Sequence, residues 1–260
     1  MPATHPSTHP STHSSTVLIT GCSSGFGLET ARFFLARGWR VIATMRTPRE
    51  DLFPASDRLR VLALDVADAD SIRRCIAEAG PIDALVNNAG IGVLAPLEGI
   101  AMAHAREVFE TNVLGTIAMA QAVLPQMRER RAGVVVNVTS SVTLLPLPLL
   151  SVYTGSKAAV NAFTESLALE LAPFNVRARL VLPGRAPGTR FGQNALPRMV
   201  GSVPAAYAEF RDGVYAAVRD TSTPVTHAQD VAEAVWRAVT DGAAPMRLPA
   251  GADAVALAGA

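Results

Sequence analysis

Short apolar runs rich in β-branched residues occur along the chain at Val17–Thr20, Arg40–Thr44, Val61–Leu64, Ala84–Val86, Val134–Val138 and Arg179–Leu182. Between them, apolar side chains return with a helical period over 26–37, 69–79, 102–130 and 153–172. The runs show little polar alternation, as expected of strands covered by helices on both faces. Strand and helix in repeated alternation imply crossover connections and an open parallel sheet.

The order of these elements predicts an α/β fold: a single Rossmann-type doubly wound parallel sheet with helices on both faces. Ligands of such sheets bind beyond the carboxyl ends of the strands. After Pro183 the regularity lapses. Residues 184–202 contain four glycines and two prolines and read as a mobile loop. Helical stretches follow near 204–219 and 227–241, then a last strand and a small-residue tail over 244–260. Residues 16–250 are thus expected to form one domain, with 184–222 as a loop and helix over the ligand and 251–260 as a C-terminal tail. Residues 1–15 repeat Thr-His-Pro-Ser; proline and small polar residues build no core, so this stretch reads as a disordered tail. His5, His9 and His13 recur every fourth position, but prolines break the helix that would gather them around a metal. No metal is expected.

With 260 residues, 49% hydrophobic and 17% charged, the chain can bury a sizeable core. A net charge of +1 and scattered basic residues argue against nucleic acid as a partner. Arg128, Arg130 and Arg131 cluster where a helix ends and suit its negative pole. Two cysteines, Cys22 and Cys75, are too few for a disulfide framework. With a polar N-terminus that lacks a secretory signal, they predict a cytoplasmic protein. No membrane span is expected, since Pro146 and Pro148 interrupt the most apolar stretch, Leu144–Leu150. A mean hydropathy of +0.26 is high for a monomer and leaves apolar surface for contacts between subunits.

Directly after the first run stands Thr20-Gly21-Cys22-Ser23-Ser24-Gly25-Phe26-Gly27, opening a helical stretch. Glycines let the backbone turn tightly and approach a pyrophosphate, whose charge a helix N-terminus stabilises. The spacing Gly-x3-Gly-x-Gly differs from the Gly-x-Gly-x2-Gly of longer dehydrogenases, and strand–helix turns also use glycine for packing alone. Further along come Asp65-Val66, Asn87-Asn88-Ala89-Gly90, Asn112, Ser140, Tyr153-x3-Lys157 and Pro183-Gly184. In this order the chain resembles the short-chain dehydrogenase/reductase family, in its compact single-domain branch, over about residues 16–250. The resemblance implies a dinucleotide-binding oxidoreductase acting on a small-molecule carbonyl or alcohol substrate.

It also implies that Gly21, Ser23, Ser24, Gly25, Phe26 and Gly27 form the pyrophosphate turn. Asp65, beside Val66, would meet the adenine amino group; alternatively, Asp65 assists Asp68 or Asp70 in capping the next helix. Asn88, Ala89 and Gly90 would lie under the cofactor ribose, with Asn87 tying strand ends together. Pro183 and Gly184 would contact the nicotinamide carboxamide. Family members often carry threonine five residues after that proline; here Gly188 holds the position and Thr189 follows, so Thr189 receives no role. The second strand ends at Met45-Arg46, with Arg49 nearby, where an NAD site carries a carboxylate for the ribose 2′-hydroxyl. A guanidinium there suits a 2′-phosphate, so NADP(H) is expected over NAD(H). The alternative is that Arg46 is a solvated loop residue.

Tyr153 and Lys157 stand four apart in a helical stretch, so their side chains leave one face. A free phenol titrates at about 10. A neighbouring ammonium and a bound nicotinamide cation favour the phenolate, so Tyr153 is expected below that value, able to exchange a proton with a nascent alkoxide. By the resemblance, Lys157 also holds the nicotinamide ribose. Ser140, 13 residues before Tyr153, matches the serine that polarises the substrate carbonyl, with Ser141 as second choice. Asn112 matches the asparagine that holds a water behind Lys157; asparagine is unfavourable inside a helix, which supports a special role. Taken alone, the Tyr/Lys pair equally suits a core tyrosine and a surface lysine. Cys22 reads as a small turn residue, and His104 and His227 as residues at helix starts.

Pocket walls are expected from residues 91–97, 141–150 and the loop after 184. Ile91, Val93, Leu94, Val142, Leu144, Leu145, Leu147 and Leu149 make the first two apolar, which suits a lipophilic ketone, aldehyde, steroid-like or acyl substrate. Those leucines equally suit core packing. Two rivals are weighed: an epimerase or dehydratase, which needs a larger substrate domain, and a non-enzymatic NADP-binding regulatory protein, which would tolerate loss of Ser140 or Tyr153. The resemblance further implies a homodimer or homotetramer formed through the helices of 102–130 and 153–172.

Overall fold

The computed structural model describes residues 14–199, 203–220 and 222–259. The three histidines of the Thr-His-Pro-Ser repeat, and the metal question they raise, lie outside the described residues.

Strands β1 (Thr16–Ile19), β2 (Arg40–Met45), β3 (Leu59–Ala63), β4 (Ala84–Asn87), β5 (Gly133–Val138), β6 (Val176–Pro183) and β7 (Arg247–Ala250) make one sheet. Its order is β3-β2-β1-β4-β5-β6-β7, and every neighbouring pair is parallel. The fold class is the one predicted. After β1 the chain builds outward in one direction, then returns to place β4 on the other side, so the carboxyl ends of β1 and β4 flank the switch point where such sheets bind ligands.

Helices α1 (Gly25–Ala36) and α8 (Ala228–Thr240) cover one face. There Phe34 meets Trp236 and Trp39 edge-on at 5.0 and 5.2 Å, a favourable aromatic geometry. Helices α2 (Ala69–Ala79), α4 (Gly115–Arg130) and α5 (Ser151–Leu171) cover the other, over fully buried Leu18, Leu85, Met119 and Met127. A buried amide ladder crosses this layer. Asn87 Nδ2 donates to Asn137 Oδ1 at 2.9 Å, and Asn137 Nδ2 donates to Thr164 Oγ1 at 2.8 Å. It ties β4 and β5 to α5, the helix that carries Tyr153 and Lys157, and gives Asn87 its expected structural part.

Three stretches differ from expectation. The region 102–130 is not one regular helix: α3 (Met102–Phe109) passes through a π turn, Glu110–Leu114, into α4. Such turns absorb one extra residue and re-aim side chains, and Asn112 sits inside this one. Within 184–202, read as a loop, Phe191–Met199 forms helix α6. Tertiary contacts outweigh its glycine and proline: Arg198 pairs with Glu107 of α3. Ala252–Ala258, read as tail, forms helix α9 with Ala254 buried; alanine is the best helix former, and the small residues that looked featureless are suited to it. Helix α7 (Ala208–Arg219) lies close to its expected span. The basic cluster stands at the end of α4 as expected, but its guanidinium groups reach other segments rather than the helix's own carbonyls, Arg130 donating to Ile82 O at 2.5 Å and Arg131 to Pro173 O at 2.7 Å.

Candidate active site

The turn between β1 and α1 is shaped by close approach. Gly21 has φ +74°, and a Cβ there would lie 2.9 Å from Ala89 Cα. A Cβ on Gly27 would strike Gly21 O and come within 2.5 Å of Asn88 Nδ2. The packing explanation thus holds for these two glycines. Gly25, at φ +57°, is different: a Cβ there would meet only Thr189, at 3.5 Å, leaving open space over the turn. Thr20 and Asn88 lock the arrangement. Thr20 Oγ1 accepts from Asn88 N and Ala89 N at 3.0 and 2.9 Å, and Asn88 Nδ2 donates to Thr20 O at 2.9 Å. Ser24, at the N-cap of α1, makes no side-chain capping bond, and the first turn holds no acidic residue. The positive end of α1 is therefore left for an anion. A backbone cradle beside an unneutralised helix end fits the pyrophosphate of a dinucleotide.

Beyond β3, Asp65 Oδ1 accepts from Ala67 N at 3.0 Å, while Asp68 caps α2 by accepting from Asp70 N and Ser71 N. Capping therefore belongs to Asp68. Val66 is buried and packs against Gly115, where a Cβ would lie 2.9 Å from Val66 O. Cys22 N donates to Thr44 O at 2.8 Å, joining the glycine turn to the end of β2. Two residues beyond Thr44, Arg46 is exposed and makes no hydrogen bond or ion pair with a described residue. Arg49 is held by Asp51, with Nη2 2.5 Å from Oδ2.

Beyond the ends of β4, β5 and β6 the remaining sequence-predicted residues come together. Asn88, Gly90, Ser140, Tyr153, Lys157, Pro183 and Gly184 all line one cavity of about 690 Å³, together with Phe26 from the glycine turn. Tyr153, Lys157 and Ser140 are buried. Lys157 Nζ donates to Val138 O at 3.0 Å and lies 5.9 Å from the centre of the Tyr153 ring. Ser140 Oγ accepts from Val142 N at 3.3 Å and its side chain hydrogen-bonds with that of Tyr153; Ser141 also lines the cavity.

Burial pushes the Tyr153 phenol up to about 12, with the Ser140 hydroxyl pulling the other way. Burial also brings the Lys157 ammonium down to about 8. A lowered phenol was expected from the sequence with a nicotinamide cation bound; among the protein's own groups desolvation outweighs the Ser140 hydroxyl, and the lysine's own charge is disfavoured by burial. The Asn112 amide is engaged at both of its ends. Its Oδ1 accepts from Ile91 N, and its Nδ2 donates to Ile91 O, both at 2.9 Å, and to Ser156 Oγ at 3.0 Å. Ser156 Oγ donates onward to Tyr153 O at 2.7 Å. The side chain stitches the Gly90–Ile91 segment to α5. It stays close to Lys157 all the same: a Cβ on Gly90 would lie 3.3 Å from Asn112 Oδ1 and 3.4 Å from Lys157 Nζ.

The cavity wall is partly the expected one. Val93, Leu94, Val142 and Leu147 line it, but Ile91, Leu144, Leu145 and Leu149 do not. The segment 184–222, expected over the ligand, supplies Phe191, Val214 and Val218 to the wall, although no residue of it was singled out; sequence reasoning missed α9, with Asp253 and Leu257. Phe191 is the informative case. Its ring stands 5.4 Å from that of Tyr153, tilted by 57°, and a Cβ on Gly92 would come 2.6 Å from its edge. An aromatic residue in a glycine-rich stretch, with an unexplained glycine elsewhere, was the available signal. Among the described residues no group of three or more His, Cys, Asp or Glu is placed to hold a metal, and no helix is long and apolar enough to cross a membrane.

The family model described as short chain dehydrogenase matches residues 15–198. Human retinol dehydrogenase 8 is 37% identical over 247 residues, covering 89% of this chain and 79% of its own. The crystal structure of a short-chain dehydrogenase from Streptomyces avermitilis superposes with a TM-score of 0.80 at 33% identity, covering 95% of this chain and 91% of that one. A short-chain dehydrogenase from Burkholderia cenocepacia, solved in complex with NADP, gives 0.76 at 26% identity, with coverage of 95% and 92%.

Replacing Asn112 with Ala removes the partner of Ile91 N, Ile91 O and Ser156 Oγ together. Each buried group left unpaired costs about 1–3 kcal/mol, so urea unfolding should show a marked loss of stability. A midpoint equal to the parent's would refute the stitching role.

Proposed function

The chain belongs to the short-chain dehydrogenase/reductase family, and on that premise we propose an NADP(H)-dependent oxidoreductase that interconverts alcohol and carbonyl on an apolar small molecule. The observation that carries this reading is the meeting of Tyr153, Ser140 and Lys157, all buried, in one cavity with the glycine turn.

A nicotinamide, when bound, supplies or takes up the hydride; Pro183 and Gly184 would hold its carboxamide, Lys157 its ribose, and Asn88, Ala89 and Gly90 would lie beneath it. Ser140 orients the substrate oxygen: with its Oγ accepting from Val142 N, its own O–H is left to donate. Tyr153 gives that oxygen a proton in reduction and takes one back in oxidation. Burial holds the phenol up at about 12, so Tyr153 carries at neutral pH the proton that the reductive step needs. Lys157, while charged, stabilises the phenolate left behind. Asn112 acts through placement, by holding Ile91 and, via Ser156, the backbone of Tyr153.

Support for an apolar substrate comes from Val93, Leu94, Val142, Leu147, Val214 and Leu257 on the wall, and from a relative named for retinol. Support for NADP(H) comes from Arg46, exposed beyond β2 where a carboxylate would select NAD(H). The homodimer or homotetramer is supported by exposed Phe109, Leu114 and Leu169, apolar residues of the α3–α4 and α5 helices.

An NADPH-consumption screen over aldehydes, ketones and quinones tests the reading. Tyr153→Phe should lower kcat/KM by about 10²-fold or more while retaining NADPH binding; binding without turnover by the parent would instead favour the regulatory protein. In reduction, kcat should hold below pH 8 and fall as pH rises through about 8, because Lys157 then loses the charge that stabilises the phenolate. A limb that appears only near the phenol's own value of about 12 would remove Lys157 from that step. Arg46→Asp should reverse the cofactor preference, and an unchanged ratio of kcat/KM for NADPH over NADH would end the Arg46 assignment.

A further inference from the structure

Asp253 belongs to α9, and its carboxylate lines the active-site cavity. Both of its oxygens are engaged. Oδ2 accepts from Arg185 N at 2.6 Å, and Oδ1 lies 2.7 Å from Thr226 Oγ1, whose one proton is shared between Asp253 and Ala250 O at 2.9 Å. Thr226 Oγ1 in turn accepts from Gly184 N at 2.9 Å, and Thr226 N donates to Arg185 O at 2.8 Å. The peptides that follow Pro183 are thereby held from both sides. A Cβ on Gly184 would collide with the Asp253 carboxylate, so the glycine of this turn is required by its partner on α9.

The Arg185 side chain continues outward. Its guanidinium donates to Ala217 O at 2.7 Å and to Asp220 O and Thr223 Oγ1. These groups lie at the carbonyl end of α7, where a cation meets the negative pole of the helix. From the same helix Val214 and Val218 face the cavity, and Tyr215 donates to Leu94 O at 3.2 Å across it. One carboxylate on the last described helix therefore reaches, through a single residue, both the turn at the end of β6 and the helix that covers the pocket.

We propose that Asp253 is a positioning residue for the proposed reaction, and that with Arg185 it forms a strut setting both the Pro183–Gly184 turn and the seat of α7. The first half rests on the reading that this turn faces the nicotinamide. Hydrogen bonds to a carboxylate are stronger than neutral ones, and loss of the strut should be felt at the nicotinamide end of the cofactor but not at the adenine end.

Calorimetric titration with NADPH and with 2′,5′-ADP separates the two ends. Asp253→Ala should weaken NADPH about tenfold and leave 2′,5′-ADP unchanged, and Asp253→Asn, which keeps an acceptor in the same shape, should recover part of the loss. Arg185→Met should leave NADPH affinity unchanged but raise amide hydrogen exchange across 208–219. Equal weakening of both ligands in a folded Asp253→Ala protein overturns the proposal, because it marks a general stability effect. If the alanine variant does not fold, parental NADPH affinity in Asp253→Asn together with parental exchange in Arg185→Met overturns it as well. A parent protein that binds neither ligand defeats the dinucleotide reading instead, and the exchange of Arg185→Met still decides the strut.

Discussion

Lys157 buries an ammonium in the wall of the cavity, at the carboxyl edge of the sheet, with Val138 O as its hydrogen-bond acceptor. Burying a charge so sparsely compensated is costly, and the cost shows as a value drawn down to about 8. The position is tolerable only because the neighbourhood is rigid. A lysine free to swing would find solvent, and both it and the buried phenol of Tyr153 would return toward ordinary titration. Whatever fixes α5 against the ends of β4 and β5 therefore fixes the chemistry.

That rigidity comes from amides rather than ions. Asn87, Asn137 and Thr164 bond across the sheet to the middle of α5, while Asn112 and Ser156 bond its first turns to the segment after β4. The π turn gives Asn112 its aim, and asparagine's poor helical propensity is the local cost of that aim. Neutral donors and acceptors suit the task. They satisfy one another without adding fields that would compete with Lys157 for control of the phenol.

The strands were legible because burial on both faces turns them into apolar runs, and the glycine turn was legible because backbone approach excludes side chains. Spacing alone could put Tyr153 and Lys157 on one face. It could not reveal the balance between burial and charge, which depends on how much protein closes over the pair; hence the phenol moved in the opposite direction to that expected. The helix at Phe191–Met199 was hidden by glycine and proline, since what stabilises it is Arg198 meeting Glu107 about ninety residues away. Residues 252–258 were hidden by their plainness: an alanine-rich stretch signals neither loop nor helix until Asp253 is seen to hold a turn. Of the apolar residues assigned to the pocket, those that turned instead to the core or the surface cannot be told from the others by type.

The cavity's larger polar side chains are largely committed to backbone groups: Arg185 to the end of α7, Asp253 to the turn after β6, Tyr215 to Leu94 and Asn88 to the glycine turn. Recognition of the substrate beyond its reacting oxygen then falls chiefly to apolar surface. Shape in an apolar pocket discriminates weakly, by about 1–3 kcal/mol for a methylene, whereas a dedicated hydrogen bond rejects analogues that lack its partner. On the proposed function, a site so arranged would sort substrates by length and bulk and would accept a range of apolar carbonyls. Its selectivity is then set by how closely Phe191 and α7 sit over Tyr153, so the elements that seat them govern which molecules react as much as the wall residues do.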